Sequence, residues 1–205
     1  MAKSKKIAIV VAAIALIAVI GVVGSTLAFF TDKDSKTNTF TMGNVNGTLE
    51  EKKDNGDTDP ISGGGITFDN VTPNATLGKI PYMKLGADSS DAYARIKLTW
   101  DTTGLTETQA AKVQALALEI NPKWVLGTDG YYYYQDKIVA GQETAPIFTE
   151  VKIPSDWGNE MANATFKLKV EGDFIQADNF NPVKTDGVIT SWGDVTIEQF
   201  NAPQQ

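Results

Sequence analysis

Asp54, Asp57 and Asp59 crowd together around Gly56, and several carboxylates on a tight turn are the donor set that a hard cation such as calcium selects. The spacing Asp-x-x-Asp-x-Asp departs from an EF-hand loop, and no Glu stands at its twelfth place. A solvated acidic loop accounts for the same residues without a metal, and Asp32 and Asp34 read the same way. Tyr131, Tyr132, Tyr133 and Tyr134 form the other conspicuous run. Aromatic faces on a sheet can stack sugar rings, but a strand sends alternate residues to opposite faces. Two of the four can share a surface while the other two belong in a core. Tyrosine is also a favoured strand residue whose polar tip suits a sheet rim.

Catalysis has no visible apparatus. The chain contains neither histidine nor cysteine, which removes the commonest general base and the usual zinc ligands together. No Gly-x-Ser-x-Gly elbow is present, and a serine would have no histidine to activate it. Gly63-Gly64-Gly65 follows no convincing strand and precedes no helix, so it is not a phosphate cradle. Any of the 25 acids could meet in space as a glycosidase pair, yet no motif marks one. No enzyme activity, cofactor or metal is expected.

Positions 1–28 run in the order of a secretory signal: Lys3, Lys5 and Lys6, an uncharged apolar stretch from Ile7 to Val23, then small residues leading to Ala28. As a helix the apolar stretch would measure about 26 Å, slightly less than a ~30 Å hydrocarbon core, so a retained anchor is the competing reading. Gly21, Gly24, Ser25 and Ala28 favour cleavage, because small residues let the backbone enter a peptidase groove extended. The remainder, from Phe29 to Gln205, suits one domain with a sizeable core. It carries 15 basic and 25 acidic residues, a net charge of −10, which repels nucleic acid and anionic lipid. With no disulfide available, stability must come from packing.

The elements that position these residues are mostly short strands. Asn38, Phe40 and Met42 alternate with Thr37, Thr39 and Thr41 as in an extended strand. Residues 50–65 break the periodicity with charge, Pro and a Gly triplet, which predicts a flexible loop. From Ile66 onward β candidates follow at 66–71, 80–85, 93–100, 124–126, 131–135, 147–153, 166–170, 174–177, 188–192 and 195–200. One helix is expected after Thr106, whose Gln109 stands at capping-box spacing. Its stripe runs through Ala110, Val113, Leu116, Ala117 and Ile120 before Pro122. Together these predict an all-β antiparallel β-sandwich over 66–205 with one short inserted helix, preceded by the signal helix. The C-terminal Asn201-Ala-Pro-Gln-Gln205 shows no sorting motif, and no membrane attachment is expected after cleavage.

The run Gly24-Ser25-Thr26-Leu27-Ala28, Phe29-Phe30-Thr31-Asp32 and Thr39-Phe40-Thr41-Met42-Gly43-Asn44-Val45 resembles the export and mature-start signature of the TasA and camelysin (CalY) family. These are biofilm-matrix and cell-surface proteins of Gram-positive bacteria, with relatives in archaea. The close resemblance lies between Gly24 and Val45. It implies a signal peptidase cut between Ala28 and Phe29, a jelly-roll-like topology, and fibres built by donor-strand exchange. Two departures stand out. Gly43 is followed by Asn44-Val45-Asn46-Gly47-Thr48-Leu49 where the family often continues Gly-Thr-Leu-Asp-Leu, and the metalloprotease activity ascribed to camelysin has no usual ligand set here.

An extended arm freed by signal removal can add to an exposed sheet edge of another copy, and head-to-tail repetition gives an open filament. On this reading residues 29–49 are the donor segment, with Phe29, Phe30, Phe40 and Met42 as apolar anchors. Thr37, Thr39 and Thr41 are their β-favouring partners, and the stretch from Gly43 to Gly47 is the hinge. The partners are the signal peptidase and other copies of the chain, with the need for an accessory matrix protein left open. Two alternatives also stay open: residues 29–49 as the first strand of their own domain, and a monomeric cell-surface module binding carbohydrate through the tyrosine run and Trp124.

Overall fold

Apolar and polar residues alternate longest in two runs, and in the computed structural model these become the two longest strands, Ala92–Asp101 and Phe166–Gln176. They pair antiparallel from Lys167 opposite Asp101 to Gln176 opposite Ala92 without a break in register. The structure describes residues 45–52, 58–61, 65–69, 71–195 and 197. In chain order they form β1 (Gly47–Lys52), β2 (Thr58–Pro60), β3 (Ile66–Phe68), β4 (Thr76–Gly78), β5 (Ile80–Leu85), β6 (Ala92–Asp101), α1 (Glu107–Gln114), β7 (Trp124–Leu126), β8 (Tyr131–Tyr134), β9 (Glu150–Lys152), β10 (Phe166–Gln176), β11 (Val183–Thr185) and β12 (Val188–Ser191), with a 3-10 turn at Asn159–Met161. Contacts divide the chain into two units, Phe40–Trp192 and a second made of Met1–Thr39 with Gly193–Gln205. Every element named here lies in the first.

The strands make four antiparallel sheets, with orders β3-β10-β6-β8-β7, β2-β1-β5, β4-β9 and β11-β12. The described protein is therefore all-β with a single short α-helix, in agreement with the alternation of the sequence. One face of the five-stranded sheet carries Ile66, Phe68, Ala94, Ile96, Phe166, Leu168 and Val170 into the main core. Met83 and Leu85 of β5, Ile147, Phe148 and Val151, and Val113 of α1 cover that face. Phe166 is its centre: its ring stacks on Phe68 at 5.3 Å and meets Trp100 and Trp157 edge-on at 5.8 and 5.9 Å. Such tilted and offset pairs add to the area they bury.

The opposite face is not simply wet. Ile175, Phe180, Ile189, Trp192 and Tyr133 are also buried, and they belong to a second cluster formed with the β11-β12 hairpin. Gln135 holds that hairpin in place of a strand. Its side-chain amide donates to the Ile189 carbonyl at 3.0 Å and accepts from the Ile189 N–H at 2.8 Å.

Helix α1 begins where the capping box demands. The Gln109 N–H donates to Thr106 Oγ1 at 3.3 Å, and the Thr106 N–H donates to Gln109 Oε1 at 3.0 Å. It ends at Gln114, earlier than the apolar stripe suggests, because the chain beyond is drawn into other partners: Leu116 is buried and Leu118 bridges to Val151 on β9. Residues 50–65 also differ from the expected loop. β1 extends to Lys52 and pairs along its whole length with β5, and β2 pairs back onto β1. The charges that mask this strand in the sequence find partners across the ladder. Tyr82 donates to Glu50 at 2.5 Å, Lys79 meets Glu51 at 3.5 Å, and Lys52 pairs with Glu143. The segments expected at 166–170 and 174–177 are one strand, β10, and 147–153 shortens to β9.

Replacing Phe166 by Ala removes the hub of the aromatic cluster and should cost about 3–5 kcal/mol, read as a lower urea midpoint at unchanged slope. A second expectation concerns acid. Glu160 accepts from the Gly158 N–H at 3.0 Å and meets Lys112 of α1 at 3.0 Å, and these two contacts lower its pKa from the ordinary 4.5 to about 2. A depressed carboxyl pKa stabilises the fold above the unfolded value and ceases to do so as pH falls through the folded one. Glu160→Gln should therefore flatten the decline of thermal midpoint between about pH 4.5 and pH 2.

Candidate functional site

Among the described residues, strand β10 is paired along its length on one side and only at its start on the other. In an antiparallel ladder, successive residues turn their N–H and C=O groups to alternate sides. The Ala177 N–H donates to the Asp91 carbonyl at 2.8 Å, and the unbroken register then assigns Ile175, Asp173, Glu171 and Lys169 to bonding with β6. The backbone groups of Leu168, Val170, Gly172, Phe174 and Gln176 face the other way. On that side β3 reaches only Phe166, Lys167 and Leu168. It goes no further because Gly65, with φ of 71°, turns the chain across Leu168 so closely that a Cβ would lie 2.3 Å from the Leu168 carbonyl oxygen. From Val170 to Gln176, that second side of β10 has no strand partner among the described residues.

Other long edges are covered. The Leu85 N–H donates to the Gln142 carbonyl, the Thr144 N–H to Met83 and the Ile147 N–H to Pro81, at 2.8–2.9 Å, so the chain after Gln142 runs along β5. Strand β6 lies between β10 and β8 and also bonds reciprocally with Ile138 through Ala92. The open stretch of β10 is apolar on its core side. Val170 is buried, Phe174 is half-buried, and Gly172 leaves room for the Met83 side chain, whose Cε would lie 2.8 Å from an added Cβ. Val45 and Leu49 pack as half-buried neighbours of the same core. A strand laid along β10 would thus gain four N–H donors and four carbonyls, with apolar side chains to cover on one face.

Gly47, expected in a hinge, is the first residue of β1 and stands opposite Leu85. Its missing side chain matters for packing: a Cβ there would lie 2.4 Å from the Phe174 ring. The cleavage pair Ala28 and Phe29, the arm residues Phe30, Thr37, Thr39, Phe40, Thr41 and Met42, and the hinge residue Gly43 lie outside the described residues. So do Asp32, Asp34, Asp54 and Asp57. Asp59 is on β2. Among the described residues no group of three or more Asp, Glu, His or Cys could hold a metal, and no helix is long and apolar enough to cross a membrane.

The tyrosine run does alternate, but both faces are occupied. Tyr134 packs on Trp124 at 5.0 Å and its hydroxyl accepts from the Ala145 N–H, while Tyr132 borders the same core. On the other face Tyr133 is fully buried, donates to Asp129 Oδ2 at 2.6 Å and meets Trp192 edge-on at 5.8 Å. Burial first, and the Asp129 carboxylate second, raise its pKa. Tyr131 stacks on the guanidinium of Arg95 at 4.0 Å, with Trp192 against the same guanidinium at 4.6 Å, and Arg95 donates to Asp173 at 2.8 Å. Trp124 is buried as well. These residues form structural clusters rather than a continuous aromatic platform. Sequence reading missed the β10 edge, because openness depends on where a neighbouring strand stops.

No family model, curated protein or solved structure matches this chain.

Backbone amide exchange reads the edge directly. In the monomer the amides of Glu171, Asp173 and Ile175 should be protected and those of Val170, Gly172, Phe174 and Gln176 should exchange fast. Equal protection along β10 would mean that the edge is covered.

Proposed function

We propose that this protein is a secreted structural subunit of extracellular, biofilm-matrix filaments, related to the TasA and camelysin group, and that it polymerises by donating residues 29–43 to the open edge of β10 on the next copy. The observation that carries the reading is the side of β10 from Val170 to Gln176, beside Phe174 and Val170, that no strand among the described residues pairs. An unpaired, half-apolar edge of this length is a template for strand addition and a liability if left bare. The arm has the matching composition: threonines that favour extended backbone and Phe29, Phe30, Phe40 and Met42 as apolar anchors. The basic, apolar and small-residue order from Met1 to Ala28 supports export and a cut between Ala28 and Phe29. The paired sheets around one core support the finer description of the fold as a jelly-roll-like sandwich.

Docking of identical subunits through an arm and a distant edge is heterologous and does not close, so it yields a filament. The role needs no catalysis and no cofactor. Its partners are copies of the same chain and the signal peptidase, and the need for an accessory matrix protein stays open. It places the mature protein outside a Gram-positive or archaeal cell, free of the membrane.

Phe40→Asp should abolish filaments under negative stain while leaving the monomer folded, because a lone carboxylate on an apolar surface is expensive to bury. A chain beginning at Asn44 should also stay monomeric, and in wild-type filaments the fast amides of β10 should become protected. Normal polymerisation of Phe40→Asp would overturn strand donation. A chain that stays single at high concentration, with the β10 edge already protected, would place the arm on its own domain instead.

A further inference from the structure

Thr occupies 22 of the 205 positions, so chance would place Thr two residues after about one of the 12 Asn residues. It stands there four times, each with a non-proline residue between: Asn46-Gly47-Thr48, Asn70-Val71-Thr72, Asn74-Ala75-Thr76 and Asn163-Ala164-Thr165. This triplet is the acceptor for N-linked glycosylation on surface loops of exported proteins.

Two of the four are presented as an acceptor requires. Asn74 sits in the turn before β4 and Asn163 in the turn before β10, both exposed, and Thr76 and Thr165 are exposed with them. Neither asparagine side chain has a hydrogen-bond partner among the described residues, in contrast to Asn46, whose Nδ2 donates to Asp88 at 3.3 Å. Asn70 lies outside the described residues. The two presented asparagines belong to one end of the unit. Pro73 and Ala162, their chain neighbours, line the same shallow groove of about 210 Å³ beside Trp157 and Met161.

Left-handed backbone explains part of the pattern. Asn74 and Asn163 have φ of 61° and 62°, a conformation asparagine tolerates. It does not explain the threonine: Asn179 has φ of 61° as well, and Asn181 follows two residues later.

We propose that Asn74 and Asn163 are N-glycosylated after export, by transfer of an oligosaccharide from a polyprenyl-diphosphate carrier. The amide nitrogen of Asn forms the bond to the anomeric carbon and gives up one proton, and the carrier diphosphate leaves with the electron pair of the broken glycosyl bond. The inference rests on the export reading. It is compatible with strand donation, because Val170 begins the open edge seven residues after Asn163, about 23 Å along an extended chain. Glycans at that end would hydrate the fibre while leaving β10 free.

The test is peptide mass mapping of the protein recovered from the medium or matrix of the cells that produce it. Peptides containing Asn74 and Asn163 should carry a glycan mass that the Asn46 peptide lacks. Thr165→Ala should remove it from the second site and Thr165→Ser should retain it, as acceptor recognition requires; Asn163→Gln should remove it as well, the outcome that excludes sugar on the threonine itself, which that variant leaves intact. Secreted protein starting at Phe29 with both peptides at their unmodified mass would overturn this proposal alone. Retention of the protein inside the cell would overturn it together with the export reading.

Discussion

A strand inside a sheet must find partners for its backbone on both sides, and β10 finds them fully on one. Its pairing with β6 runs the length of the strand and orders the apolar face that Phe166, Leu168 and Val170 present to the core. Among the described residues its other side is met only at the first few residues, because Gly65 turns β3 away across Leu168. The rest of the architecture follows from this asymmetry. A well-supported strand with an unpaired edge is rigid, so an incoming strand would meet donors and acceptors already aligned.

The support comes from both faces of the sheet. On one, an aromatic cluster around Phe166 supports the sheet by packing alone, since the chain has no cysteine with which to form a disulfide. On the other, the β11-β12 hairpin is clamped by Gln135, and Arg95 is held between Tyr131 and Trp192 with Asp173 as its counter-ion. A partly buried guanidinium is tolerable there because aromatic faces and a carboxylate surround it. The tyrosine run is taken up by these two clusters, which leaves the strand edge as the feature best suited to a macromolecular partner.

An edge of this kind invites uncontrolled association unless something restrains it. Signal cleavage would supply timing, because the arm has no free end before it. The acceptor asparagines at the opposite end of β10 would supply a hydrated surface where lateral contact is unwanted. Acidic net charge adds long-range repulsion between copies of the chain.

The parts legible in the sequence are those governed by local physics. Alternation from Ala92 to Trp100 and from Phe166 to Val170 announced two strands, and Thr106 with Gln109 announced the start of α1. The absence of histidine and cysteine limited the chemistry before any fold was known. Non-local partners decided the rest. Glu50, Glu51 and Lys52 read as loop because their partners Tyr82, Lys79 and Glu143 are distant in sequence. The stripe beyond Gln114 reads as helix but goes to β9, and Gly47 reads as a hinge but yields its space to Phe174. Periodicity depends on neighbours along the chain and is therefore written in it. Whether a backbone edge is open depends on where another strand turns away, and only the folded arrangement determines that.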